Sequence, residues 1–532
     1  MEEVNVEGES TGASPVDVND TAMRIERARE VYKSYADLQD KPSTTEVWGW
    51  YLYGLCSYFI QTVLIPIVFP LIISQLVHLP YDPVQDRLKT HQEMVCTEKE
   101  IRLYHRLTDR TVTINGSKFS PLEWTSISWA IGLITAAPIL GFISHHLDHG
   151  NKQPFITLAA TAIGAISCLP TGFFKTVLIF PPYIATIVAA ITVAIASHTR
   201  HLGLMIRGYS GPTLNKSQFP IRQGVSSWLS LYSTAAGCLG SAIISSFTYY
   251  MLKEPIENEF TSLWVVSIFS GLKWLIGIFH VFSAIRPSLA SPTSSNLSSK
   301  LTPLFSIFKY PHAIGALAGI FFSSFTSMSI FTGGVIFLVG QLCLKPVFLL
   351  SFWLIYFVLP LISMPLLRPL EHLLKTNSVK MQVFGFLLST LTSGFGFYYF
   401  DKNWQRQHLM IFAAIQSISA GVLHAHGRVL LLHCSPSGKE GAFSVWFSWM
   451  KGIGMCAGFT LGSVLPGNIK ASFGTAFCSA ICGIIVLIFG NVSDFGGAVD
   501  AGHVREYSER GSPVSGLDER VETKESLHMQ NP

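Results

Sequence analysis

The chain has 532 residues, a formal net charge of +4, 49% hydrophobic residues and only 13% charged ones. An ordinary soluble domain carries about 25% charged residues, so most water-soluble architectures are excluded, and the small scattered positive balance excludes the basic stripe of a nucleic-acid binder. Nine dispersed cysteines without a Cys-x-x-Cys pair predict neither a disulfide framework nor a zinc site.

Residues 1–47 open acidic and polar, and the first apolar run starts only at Trp48. No cleavable signal is read there, and a cytosolic tail is expected. Within it, Arg24 to Asp40 reads as an amphipathic helix on the inner leaflet or as a solvated charged helix. Ser43-Thr44-Thr45-Glu46 has the spacing of a capping box, which predicts a helix start near Thr44. A hydrocarbon core about 30 Å thick needs roughly 20 apolar helical residues per crossing. Runs of that kind lie at 48–77, 124–144, 154–174, 176–197, 224–251, 261–285, 311–342, 343–367, 381–400, 408–432, 441–465 and 471–490, twelve in all.

The Ser/Pro-rich stretch 286–310 divides these spans into two sets of six, 48–285 and 311–490, and reads as a cytosolic linker. Residues 491–532 are polar and predict a disordered cytosolic tail. Loops 145–153, 198–223, 286–310, 368–380 and 433–440, with Arg428, carry 13 Lys/Arg against 6 in the short loops of the other face, which places both chain ends in the cytosol. The long loop 78–123 then lies on the luminal side, where Asn115-Gly116-Ser117 offers a glycosylation site at Asn115. Twelve spans as six plus six around a central linker predict an all-α polytopic membrane protein of the major facilitator fold, with two six-helix halves.

No nucleophile motif, nucleotide-binding loop or zinc-binding helix is present. Neither an enzyme nor an ATP-driven pump is expected, and no cofactor or metal; the run His145-His146-Leu147-Asp148-His149 reads as a polar turn. The expected partners are a small-molecule substrate and membrane lipids. The spans carry no central Asp or Glu but two deep lysines, Lys273 and Lys451. A charge at the bilayer centre costs on the order of 2.5–3.5 kcal/mol, so each lysine must face the bundle interior, in a wet cavity or against the carbonyls of a broken helix. The eleventh span borders the central cavity in this layout and the sixth is peripheral. Lys451 is therefore the expected substrate contact and Lys273 a structural buried charge. A cationic cavity without carboxylates favours a substrate that brings its own negative group.

His424 reads as a packing residue or a proton carrier facing the same space. Asp148 and Arg428 are candidate gating residues on the inner side. Trp48, Trp50, Tyr51 and Tyr53 read as interfacial anchors or, with Tyr58 and Gln61 a turn or two deeper, as a stripe lining the cavity and its entrance, and Gln61 or Gln416 would equally suit a sugar.

Two stretches resemble the vacuolar effluxer family of the major facilitator superfamily, the autophagy-related vacuolar amino-acid exporters. Gly49-Trp50-Tyr51 matches the signature that opens the family's first span. Arg428, followed by Pro436, Gly438, Glu440 and Phe443, matches the end of its tenth span and the turn beyond, and Lys451 stands where a lysine recurs in the eleventh. Asp148, Gly150 and Lys152 fit part of the superfamily's loop after the second span, although Gly141 precedes Asp148 by seven residues instead of four. The resemblance implies export of amino acids, such as leucine, from the vacuole to the cytosol by alternating access, and residence in the vacuolar membrane or another cellular membrane. A carrier of sugars or other neutral metabolites, and a non-transporting receptor or scaffold with the same fold, stay open.

Overall fold

The computed structural model describes residues 41–77, 98–149, 152–173, 176–211, 213–253, 263–283, 304–340, 342, 346–399, 404–466 and 468–505. The amphipathic stretch Arg24 to Asp40, most of the linker 286–310 and the end of the tail lie outside them. Twelve long helical segments run through the described residues, one for each expected span: α1 (Thr44–Leu76), α2 (Pro121–His149), α3 (Gln153–Cys168), α4 (Phe180–Ser210), α5 (Phe219–Lys253), α6 (Leu263–Ser283), α7 (Pro311–Gly340), α8 (Pro346–Leu374), α9 (Ser378–Tyr398), α10 (Arg406–His433), α11 (Glu440–Val464) and α12 (Ile469–Phe489).

Local chemistry sets their ends. The Ser43 hydroxyl accepts from Glu46 N at the start of α1. At the start of α2, Glu123 N donates to Ser120 Oγ at 3.0 Å and Ser120 N to Glu123 Oε2 at 2.9 Å, a reciprocal box that satisfies two orphan donors. Asn377 and Asn468 cap α9 and α12 by accepting from Lys380 N and Ala471 N. In the middle of α1 the backbone widens into a π-helix over Ile60–Val68, which contains Pro66. A proline has no N–H to donate and its ring strikes the preceding turn, so the ladder is rerouted there.

Ten of the twelve segments are long and apolar enough to cross a membrane by composition. The other two, α9 and α11, are diluted by Gln382, Ser389, Thr392 and Ser393 and by Ser444, Ser448 and Lys451, all of them buried inside the bundle. Large apolar side chains face outward instead, among them Ile134, Phe142, Phe155, Ile163, Leu366 and Phe489, as a bilayer requires of a lipid-facing belt. The two halves meet where α2 packs against α11 and α5 against α8.

The bundle has two unlike ends. At one, a two-stranded hairpin pairs Val112–Ile114 with Ser117–Phe119. Its turn places Asn115 at φ 48° and Gly116 at φ 82°, the left-handed pair of a type I′ turn, and Asn115 is exposed at the tip. A short helix, Glu98–Thr108, crosses beside it and sets Tyr104 against the end of α7, where a Cβ on Gly340 would stand 2.2 Å from the tyrosine ring. The opposite end, here the linker end, carries residues 304–310 and the turns that follow α2, α4, α8 and α10.

The expectation of a disordered tail from residue 491 is corrected for its first part. Asp494–Asp500 form a helix capped by Ser493, and Val504–Arg505 pair in parallel with Leu214–Asn215. The composition is polar, but Ala498 and Val504 bury themselves with Phe219, and Phe495 and Val499 pack on that cluster.

Candidate functional site

Between the halves, at the middle of the bundle, lies a cavity in two lobes. The larger, with about 690 Å³ of empty volume, is lined by Ser323, Ser327, Tyr356, Ser417 and Met455 together with Tyr58, His424 and Lys451. The smaller, about 420 Å³, extends toward the linker end past Gln61, His198, Ser233 and Arg428 and shares Tyr58, His424 and Lys451 with the first. These three residues come from α1, α10 and α11, so the site is built by both halves.

Lys451 sits twelve residues into α11 with 6% of its surface exposed. Its ammonium stands 5.3 Å from the centroid of the Tyr58 ring and makes no hydrogen bond or ion pair among the described residues. An ammonium over a ring face is attracted by the ring quadrupole, which offsets only part of its lost hydration. The His424 ring lies 5.1 Å from that of Tyr58, completing a small aromatic and basic cluster. Gln61 is almost fully buried, and both atoms of its amide lack a partner among the described residues. Lys273 differs: its ammonium donates to the Gly240 carbonyl at 2.7 Å and rests 4.5 Å over the Phe59 ring, within the first half and away from both lobes.

Two of the candidate lining residues do not reach the cavity. Trp50 donates Nε1 to the His198 carbonyl at 3.0 Å and stacks on the His198 ring at 4.5 Å. Tyr53 shares a hydrogen bond with Thr161 of α3 at 2.9 Å. Both are buried in the first half, because Tyr58 lies five residues past Tyr53, about 140° further round the helix, so the two faces differ. Gln416 is also set apart. It accepts from Thr392 at 2.6 Å and borders a separate apolar cavity inside the second half, lined by Trp353, Trp404, Phe412 and Phe473. Tyr356 and Phe331 form the wall between that cavity and the central one.

Asp148 and Arg428 both tie the halves together at the linker end. Asp148 Oδ1 accepts from Gly441 N at 2.6 Å and Ala442 N at 3.3 Å, at the positive start of α11. A Cβ on Gly441 would stand 2.6 Å from that oxygen, so the approach requires glycine. Arg428 donates to the Ser230 hydroxyl at 2.9 Å and to its carbonyl at 3.1 Å, with its guanidinium 5.2 Å from the Trp50 ring. Two further ties were not anticipated from the sequence: the buried ion pair of Arg207 with Glu440, and the pairing of Ser227 with Glu371, whose carboxylate also stands 3.0 Å from His426 Nε2 of its own half. Their only sequence signal is acidic residues at the ends of otherwise apolar runs. On the hairpin side of Lys451 the halves touch through Ser126 and Thr460 at 2.5 Å and through the Tyr104 helix. The polar ties between the halves are thus concentrated at the linker end.

No protein-family model matches the chain, and no curated protein matches it in sequence. In three dimensions it is similar to the human organic anion transporter MFSD10 (TETRAN), with a TM-score of 0.56 and 12% identity, over 84% of this chain and 100% of that one. It is also similar to a bacterial homologue of the iron transporter ferroportin in an outward-facing state with soaked iron, with a TM-score of 0.50 and 12% identity, over 85% and 99%. The chain has the major facilitator fold: an all-α polytopic membrane protein with twelve helices in two halves of six. At this identity the likeness carries the fold alone and does not reach the vacuolar effluxer family.

Proposed function

We propose that the chain is a secondary transporter that moves small carboxylate-bearing substrates, amino acids foremost, by alternating access between its two halves. One observation carries this reading: the Lys451 ammonium lines the cavity between the halves without an anionic partner among the described residues. An uncompensated cation there costs on the order of 2.5–3.5 kcal/mol, which a bound carboxylate would offset. Gln61 Oε1, which lines the smaller lobe without a partner among the described residues, offers an acceptor for the ammonium of a zwitterion, and Tyr58 and His424 line the same lobe. Asp148 and Arg428 act as the inner gate. Export from the vacuole to the cytosol, in the vacuolar membrane, rests on the motifs around Gly49-Trp50-Tyr51 and Arg428 to Phe443, which resemble the amino-acid effluxers. The fold neighbours include a transporter of organic anions, which accords with an anionic group on the cargo.

The test is uptake of radiolabelled leucine, with glucose as the neutral comparator, into proteoliposomes. Lys451→Met is expected to lower leucine flux at least tenfold while the purified protein keeps its gel-filtration profile. Equal flux in the variant, or a wild type that carries glucose and not leucine, would refute the carboxylate reading.

A further inference from the structure

We propose that residues 491–505 form a releasable strap that holds the linker end closed, and that substrate can pass to that side only after the strap lets go of the first half. The proposal rests on the alternating-access reading above and adds to it a regulatory contact. The strap leaves α12 in the second half and stays bound to that half by several links, among them His312 with the Asn491 carbonyl and with Asp500 at 3.6 Å. Asp494 Oδ2 accepts from Ser378 N at 2.6 Å, and His503 Nε2 hydrogen-bonds the Ser435 carbonyl at 2.7 Å. It then crosses to the first half, where it meets residues 214–223, the turn before α5 and its first residues. Asp494 Oδ2 also accepts from Gln223 Nε2 at 3.0 Å. The Phe495 ring lies 5.5 Å from that of Phe219, and the Lys216 ammonium 5.6 Å over Phe495. Leu214 N donates to the His503 carbonyl at 2.9 Å, and Val504–Arg505 run in parallel with Leu214–Asn215.

Opening the linker end means moving the start of α5 away from α8 and α10, which would break each of these contacts. The links to Ser378 and Ser435 lie wholly within the second half and would survive. The crossing is also small: a two-residue strand, one ring pair, one ammonium over a ring and one carboxylate shared between the halves. A two-stranded pairing of this size is marginal alone, so the strap is suited to repeated release. Gly497 presses on Cys434, where a Cβ would stand 2.4 Å from the thiol sulfur, a further contact to the second half that release would leave in place.

The test joins Leu214→Cys and Val504→Cys in a chain whose other cysteines, except Cys238 on the cavity wall, are replaced. Paired strands lie about 4.8 Å apart, within disulfide reach. Oxidation is expected to lower leucine exchange in proteoliposomes at least tenfold, with recovery on reduction and no effect on the parent. Labelling of Cys238 by an impermeant thiol reagent on the linker side, read by peptide mass, should fall in parallel. Oxidised protein that exchanges and labels at the reduced rate overturns the strap. Should the parent carry no leucine at all, the transport reading fails by itself, and Cys238 labelling still decides the strap: a fall on oxidation supports it, no change overturns it. Phe495→Ala needs no crosslink and is expected to raise Cys238 labelling severalfold; an unchanged rate also counts against the strap.

Discussion

Asp148→Ala is the sharpest perturbation of the closed linker end. The carboxylate joins the two halves through two backbone donors of α11, one at 2.6 Å and a weaker one at 3.3 Å. Both lie in a buried region, where a hydrogen bond to a charged group is worth about 1.5–3 kcal/mol and a neutral one about 0.5–1.5 kcal/mol. Counting the long bond at the low end and allowing water to reach the vacated donors, the closed state loses about 2 kcal/mol, a shift of roughly 30-fold toward the open linker end. Cys238 lines the central cavity and is buried when that end is shut. In a chain keeping only this cysteine, its labelling by an impermeant reagent from the linker side reports the open fraction. Asp148→Ala should raise the rate by about that factor, and Asp148→Asn, which keeps an acceptor, by much less. Alanine labelling within twofold of the parent would mean that Asp148 does not hold the gate, and the account of this end would fail.

Lys273→Met should leave leucine flux at the parental level and thermal stability within about 1 kcal/mol, since a methionine of similar length keeps the packing on Phe59 and replaces a lysine whose one hydrogen bond is to the Gly240 carbonyl; a loss of flux like that of Lys451→Met would refute the division of roles. Ser117→Ala should remove any glycosidase-sensitive band shift while keeping the left-handed turn at Asn115, so a shift that persists would place the glycan elsewhere. The strap should show two opposed pH dependences. Burial pushes Asp494 up to about 6, so its contribution to closure is full below the ordinary carboxylate value near 3.8 and is lost as pH rises through 6. Burial holds His503 well below 6.5, so its contribution is present above 6.5 and is lost as pH falls. Cys238 labelling from the linker side, normalised to a cysteine peptide, should therefore vary little between about pH 4 and 6 in the parent. It should rise toward acid in Asp494→Asn and toward pH 6 in His503→Gln; parallel profiles in all three would sink the argument.

The parts legible in the sequence are those governed by one strong physical constraint. A bilayer demands about 20 apolar helical residues per crossing, and all twelve helices fall on the expected runs. Lys451 and Lys273 could be found because a charge deep in an apolar run has few tolerable surroundings. The span order pointed to Lys451 as the one facing the cavity; the partner of Lys273, the Gly240 carbonyl 33 positions away, needed the packing of α5 against α6. The phase of α1 was hidden for a different reason. Trp50, Tyr53, Tyr58 and Gln61 crowd one short stretch, and only the turn of the helix, widened at Ile60–Val68, separates the two that line the cavity from the two that pack on α3 and α4.

The linker-end network was least legible, and the cause bears on mechanism. Arg207 with Glu440, Ser227 with Glu371 and Gln223 with Asp494 are pairs between distant segments, each spanning the junction of the halves. Nothing local demands such partners, and a helix end can carry a charge without them. Buried ion pairs and shared carboxylates are poor sources of net stability, because desolvation cancels most of their attraction. Their concentration at one end is better explained by switching: a polar contact that is satisfied when closed and rehydrated when open can be broken at little net cost, whereas an apolar seam of the same area could not. On that argument, replacing Arg207 and Glu440 together by Met and Leu should stabilise the closed protein against heat and lower Cys238 labelling from the linker side. A double variant that opens more readily than the parent would show that the pair stabilises closure by attraction after all.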